Sequence, residues 1–570
     1  MAVTGNECKD FIAAEGQYVL KREIYLEPTT PNLTGGTLIS LVSVKYKEYT
    51  SHRQSSSGDG TSTEPAGDNN TLSNRPPSTD DSPLDNPAED AADSVRSQPQ
   101  LQNSQEPPSP TTTTFKEPVS PGDASAVKSP TQNSFTSKQP LGGNVPIPTA
   151  IEGKRDDEGA FTALFSAAKR KKPKHSITKT NSSFVTKIIT NENFAKILAN
   201  RQNEDTYLFY NIGRTFCWTD LTNNSKEPLS RVNFKAFPTC HDVNQLTRSC
   251  DHLDVIIGFS SGDVIWFDPL CNKYYRLNKA GIINGSTVTM VKWIPGSENL
   301  FMASYQDGSV IIYDKEKDDQ NFTSSGVNDD EGFRVTRPSK HSKYNPVSHW
   351  HVSKKAVTAN DFLAFAFSPD CQHVAIVSVD GCLRIVDFLQ ERLYDTYSSY
   401  FGGFSCVCWS PDGKYILTGG QDDLVTIWAF REQRILARCQ GHASWVTGVA
   451  FDPWRCDEQN YRFGSVGEDT KLLLWDFSVN ALHKPKTLSH RRASVASQSH
   501  GSTTTLRRNV AEPEPNMVHP CLPRSEVAVL PPVVAKSVDP DPLSSITFRE
   551  DAIIVTCRKG HIKLFSRPSQ

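Results

Sequence analysis

Seven times along the chain an apolar run ends in a large or branched residue, and that recurrence limits the fold more than any other feature. The copies are NIGRTFCWTD, SGDVIWFD, DGSVIIYD, DGCLRIVD, DDLVTIW, DTKLLLWD and the weaker GHIKLF. The marker position holds Trp218, Phe267, Tyr313, Val386, Trp428, Trp475 and Phe565, and Asp usually follows it. Successive markers lie 49, 46, 73, 42, 47 and 90 residues apart. Subtracting a unit of about 44 from the two long intervals leaves roughly 29 and 46 residues. Those lengths approach the polar stretches 315–345 and 482–520. Ahead of four markers an apolar strand runs into a Pro turn: VKWIPGSENL, FAFSPDCQHV, VCWSPDGKYI and VAFDPWRCD.

A strand, a turn, a second strand, an Asp-containing tight turn and a third strand therefore recur at about 44 residues, the WD pattern of four strands per blade. The spacing predicts an all-β, seven-bladed WD-repeat β-propeller with long disordered insertions. Composition says where the core is not. Among 570 residues 36% are hydrophobic, with 28 Phe and 9 Trp beside 37 Pro, and the mean hydropathy is -0.48. Such a chain segregates its apolar residues. Residues 50–160 are Ser, Thr, Pro, Asn and Gln with scattered acids, and between Asp59 and Asp93 nine carboxylates face a single Arg75. No apolar period runs there, so disorder is predicted. The expected organisation is a segment 1–49, strand-like in composition at 38–44, with a strand that joins the propeller; then the acidic tract 50–160 and a basic linker 161–180. Blades one to six follow at 181–481, with a disordered insertion at 315–345. A second disordered insertion spans 482–520, and the last blade, 521–570, closes the ring.

A net charge of -3 and a pI near 6.5 argue against nucleic acid as a partner. No stretch approaches 18 apolar residues, so no membrane span is predicted. The N-terminus lacks a secretory pattern, which implies a reducing compartment, cytoplasmic and nuclear. The 13 cysteines are then free thiols, and no C-x-x-C pair stands among them. No phosphate-binding loop, zinc spacing or other cofactor or metal signature occurs, so no cofactor and no catalytic residue is predicted. Cys240-His241-Asp242 invites a nucleophile reading, but neighbours on a strand point to opposite faces.

Blade six is closest to the repeat consensus: His442, Ser465, Asp469 and Trp475 should form a buried hydrogen-bond chain. Blade five keeps Thr418, Asp422 and Trp428 but carries Tyr400 in place of the His. The segment before each inner strand lies on one face of a propeller. That places Trp445, just ahead of Val446, and Phe401, three residues ahead of Phe404, side by side on the rim, with Tyr400 next to them. Adjacent exposed aromatics suit a binding hot spot. The basic run Lys169, Arg170, Lys171, Lys172 and Lys174 reads either as a nuclear import signal or as a solvated linker flank. Ser494, in Arg491-Arg492-Ala493-Ser494, and the Ser-Pro sites Ser82, Ser109, Ser120 and Ser129 are candidate phosphorylation sites.

CHD at 240–242, IPGSENL at 294–300 and SYFGG at 399–403 are not general features of such blades, and YRFGSVGEDTKLLLWD follows at 461–476. With NSSFVTKII from Asn181, EGQYVL at 15–20 and LPRSEVAVLPPVVAKSVDPDP, they resemble the fungal catabolite-repression WD proteins of the CreC type. More distantly they resemble animal WD-repeat protein 20. The resemblance implies a non-catalytic subunit that binds and activates a ubiquitin-specific cysteine protease of the CreB type, with a second WD-repeat protein as a further partner. In fungi such a deubiquitination complex regulates carbon catabolite repression. It also implies that the aromatic of SYFGG, here Phe401, and the tryptophan of HxSW, here Trp445, contact the protease. The alternative is a scaffold that recruits ubiquitinated targets without changing turnover.

Overall fold

The computed structural model describes residues 8–27, 36–46, 173–178, 183–199, 201, 204–222, 227–323, 332–339, 341–353, 363–478, 482 and 517–568. Seven sheets stand around an axis, six of five strands and one of four, and in each the inner strands pair antiparallel. The inner strands are Ile39–Lys45, Pro238–Val243, Val288–Trp293, Leu363–Phe367, Phe404–Trp409, Val446–Phe451 and Leu543–Phe548. Second and third strands such as Tyr415–Gly420 and Leu424–Ala429 are buried along their whole length. They are sandwiched between neighbouring blades, which is why these runs are continuously apolar rather than alternating. The markers Trp218, Phe267, Tyr313, Val386, Trp428, Trp475 and Phe565 all fall on third strands.

The second residue of each inner strand stitches the blades together. Thr239 Oγ1 donates to Val288 O at 2.7 Å, Thr289 Oγ1 to Leu363 O at 2.8 Å, and Thr447 Oγ1 to Leu543 O at 2.8 Å. Ser405 Oγ donates to Val446 O, and Ser544 Oγ to Thr37 O at 2.6 Å. Ser40 Oγ meets His241 Nδ1 at 2.9 Å. Blade four has Ala364 at this position, so the junction of blades four and five lacks the hydroxyl.

The ring closes through two N-terminal pieces. Gly16–Ile24 pairs with Ile562–Ser566 as the outer strand of blade seven, and Asp10–Ala13 adds a fifth. Phe11 stacks on Tyr18 at 4.8 Å and meets Phe565 edge-on at 5.4 Å. Ile39–Lys45 is the inner strand of blade one, paired with Glu204–Ile212 from Ile39↔Tyr210 to Lys45↔Glu204. Blade one therefore begins well before residue 181.

Two stretches differ from expectation. Within 315–345, Asp318–Asp319 pairs with Tyr344–Asn345, and Arg334–Thr336 lies as a fifth strand against Ser348–His351. Buried Asn345 holds this return in place, its side chain accepting from Asp314 N at 2.9 Å and donating to Asp314 O at 3.1 Å. The stretch 521–570 divides, since only residues from Leu543 onward build blade seven. Before that the chain runs along outer edges as a strap. Met517–His519 pairs in parallel with Arg392–Ser398, Ala528–Leu530 in parallel with Arg434–Gln440, and Val534–Ser537 antiparallel with Lys471–Ser478. Each pairing covers the open hydrogen-bonding edge of blade four, five or six. Among the described residues no helix is long and apolar enough to cross a membrane.

Candidate functional site

Blade six shows how a rim loop is made rigid. His442 Nδ1 lies 3.0 Å from Asp469 Oδ1, and its Nε2 lies 2.7 Å from Ser465 Oγ. Trp475 Nε1 donates to the same Ser465 oxygen at 2.9 Å. Ala443 N–H donates to Asp469 Oδ2 at 2.9 Å. Burial pushes the Asp469 carboxyl up, but the His442 and Ala443 hydrogen bonds outweigh it and hold the group below the usual range. Glu468 N–H then binds Trp445 O at 2.9 Å, so the backbone beneath Trp445 is pinned while its side chain remains 42% exposed. Replacing Ser465 by alanine orphans both the Trp475 N–H and the His442 ring nitrogen. The expected cost is about 1–3 kcal/mol, read as a lower unfolding midpoint with faster amide exchange at 442–445. An unchanged midpoint would mean the chain of bonds contributes nothing.

The loop 399–403 turns its aromatic outward by a different device. Gly402 has φ +64°, a left-handed conformation suited to glycine. Its carbonyl accepts from Ser399 Oγ at 2.6 Å, and Gly403 N–H donates to Gln421 Oε1 at 2.9 Å. A Cβ on Gly403 would lie 2.5 Å from Val379 Cα, so only glycine lets this loop lie on blade four. Phe401 stands at the apex with 72% of its surface exposed. No ring contact joins Phe401 to Trp445 among the described residues, yet their blades adjoin through the Ser405–Val446 bond.

Tyr400 does not take the histidine's part. Trp428 Nε1 donates to Thr418 Oγ1 at 2.8 Å, and there the chain of bonds stops. Asp422 Oδ1 accepts from Leu424 N–H at 3.2 Å, while its Oδ2 is buried without a hydrogen-bond partner among the described residues. Burial drives that carboxyl up to about 6. A phenol is too long for the imidazole's place, and Tyr400 is turned out to the rim, with the Arg438 guanidinium carbon 4.4 Å from its ring centre.

Comparison with known proteins agrees with this architecture. The family described as WD domain, G-beta repeat, matches residues 392–429. That segment starts in the outer strand of blade four and ends in the third strand of blade five, so the sequence repeat is offset by one strand from the blade. Over 412 residues the chain is 38% identical to the UBP9-binding protein bun62 of Schizosaccharomyces pombe, covering 68% of this chain and 75% of that protein. The chain belongs to the bun62 family. The alignment is too long to reflect one WD repeat alone, so the bun62 relationship extends over most of the propeller.

Cys240 and His241 do not meet in this member of the bun62 family. The thiol packs toward blade three and burial pushes it up to about 12. The imidazole packs toward blade one, against Ser40 and Phe216, and burial pushes it down to about 3. Asp242 binds Lys292 Nζ at 3.0 Å and Trp293 N–H at 2.9 Å. Asp539, Asp541 and Cys557 cluster within 4.8 Å, but Lys563 pairs with Asp539 at 3.0 Å and Lys559 with Asp541 at 2.7 Å, which supplies the countercharge. All thirteen cysteines are free.

Of the basic run, Lys174 is exposed, whereas Lys169, Arg170, Lys171 and Lys172 lie outside the described residues. Ser82, Ser109, Ser120, Ser129 and Ser494 lie outside them too. Sequence reasoning missed Arg438 and Arg524, the latter 6.0 Å from the Tyr400 ring centre. No local signal marks them, because Arg524 arrives on a strap more than 120 residues downstream of Tyr400.

Proposed function

We propose that the chain is a non-catalytic subunit that binds a ubiquitin-specific protease through the rim formed by Tyr400, Phe401 and Trp445, and that it raises the protease's turnover. The observation that carries this reading is Phe401, an aromatic 72% exposed at the apex of a loop held by hydrogen bonds on both sides. Holding a large apolar side chain in water without covering it is costly, and a rigid exposed aromatic is what a partner's pocket accepts with little loss of entropy. The bun62 relative is named for binding UBP9, and the same class of partner suits this rim. Cys240 and His241, buried toward different blades, offer no nucleophile with its base, which favours a binding role over a catalytic one.

Activation follows if the rim binds the protease's active conformation more tightly than its inactive one. The test adds purified chain to the protease that co-purifies with it, using a ubiquitin–fluorophore substrate. A rise in turnover with no protein target present is the expected result. Binding without any rise would replace activation by the scaffold reading.

A further inference from the structure

The strap crosses the rim beside Tyr400, and its seat is built. His519 Nε2 lies 2.9 Å from buried Asp395 Oδ1, and its ring stacks on Tyr397 at 4.4 Å and 10°. Arg438, 3% exposed, donates from Nη2 to Leu522 O at 2.6 Å and contacts Cys521 Sγ at 3.3 Å. Its Nε and Nη1 have no hydrogen-bond partner among the described residues. The strap next forms a single turn, Arg524–Glu526, in which both named residues are exposed. Arg524 reaches back to Tyr400, 6.0 Å from the ring centre, and Arg438 approaches the same ring at 4.4 Å. Two guanidinium groups thus approach one exposed aromatic.

We propose that the strap residues 517–526 complete the docking face, and that Arg524 beside Tyr400 receives an acidic side chain of the docked protease. The inference rests on the reading that the protease lands on Phe401 and Trp445. It adds the chemistry of the segment that lands there: an apolar group for the aromatic pair and a carboxylate on the strap side. Arg524 has no ion pair to break among the described residues, so a carboxylate arriving there gains attraction without displacing another. Tyr400 carries the cation on its ring face and restricts where that charge can point. Arg438 acts as the pin that keeps the strap, and with it Arg524, in register with the loop 399–403. A charge at the rim governs association rate and partner choice more than total affinity.

The experiment measures association of the co-purifying protease with wild type, Arg524→Ala, Arg524→Glu, and Phe401→Ala with Trp445→Ala, at low and high salt. Arg524→Glu should slow association about tenfold at low salt and flatten its salt dependence, and Arg524→Ala should have a smaller effect of the same sign. Unfolding midpoints should match wild type, since the side chain is exposed. Amide exchange at 518–530 should slow when the protease binds. An Arg524→Glu variant that associates like wild type, or exchange in the strap that ignores the protease, overturns the proposal while leaving the aromatic rim intact. If the Phe401 and Trp445 double variant binds normally, the docking reading falls and takes this one with it.

Discussion

Replacing Asp254 by alanine is expected to cost the fold about 3–5 kcal/mol, because it breaks a buried charge cluster from one side only. Asp254 is fully buried between blades two and three. It accepts from Trp266 Nε1 at 2.5 Å, Thr247 Oγ1 at 2.7 Å and Lys315 Nζ at 2.8 Å, and lies 3.0 Å from His252 Nε2. Lys315 is only 3% exposed, and its ammonium lies 4.8 Å from the Trp266 ring centre and 5.5 Å from that of Trp293. Removing the carboxylate leaves that ammonium in a nearly dry site with two aromatic faces as its remaining company. A second change, Lys315→Met, should recover part of the loss, since it removes the orphaned charge rather than another contact. Chemical unfolding of the two single variants and the double variant measures this. A loss under about 1 kcal/mol for Asp254→Ala, or simple additivity of the two changes, contradicts the account.

The same cluster sets a pH dependence. Burial pulls the His252 imidazole down, but hydrogen bonds to Asp254 and Asp268 prevail and raise it to about 9. An unfolded histidine titrates near about 6.5. Because the folded value is the higher one, the protonated form stabilises the fold fully below the unfolded value. That contribution drains as pH rises through about 9. Wild type should therefore weaken between neutral and alkaline pH, and Asp254→Ala should weaken less over the same window.

Lys315 also shows where reading the sequence stops. It opens the run KEKDD, which composition places in a solvated insertion, yet it is the buried cation of that cluster. A charged residue reads as exposed unless its partner is visible, and Asp254 lies 61 residues earlier. The same applies at the ring's closure. Ser566 Oγ bonds Val19 O across 547 residues, so no local pattern could join the first strands to the last blade. The blades themselves were legible because each third strand carries its own marker and tight turn within one repeat. At the rim, Phe401 and Trp445 were placed by counting back from Phe404 and Val446, a local measure. Tyr400 was legible as a rim position, but the two arginines that approach its ring were not, because Arg524 belongs, by sequence, to the far end of the chain.

Changing Phe401 and Trp445 together to alanine should weaken protease binding by about a hundredfold or more, while the melting temperature hardly moves. A buried hot-spot aromatic is worth about 2 kcal/mol or more on truncation, and two neighbours in one pocket do not add in full. The fold is spared for reasons visible in each loop. The bonds that hold 399–403 run through Ser399, Gly402, Gly403 and Gln421, and those that hold 441–445 run through His442, Ala443, Asp469 and the Trp445 carbonyl. None of them uses an aromatic ring of the pair, and Phe401 and Trp445 are 72% and 42% exposed. Truncation therefore removes what a partner would cover and leaves the scaffold's own hydrogen bonds in place. A large drop in melting temperature would assign the two rings to the blade junction. Binding that survives with the fold intact would move the docking surface elsewhere on the disc. Loss of binding at constant stability is the expected result.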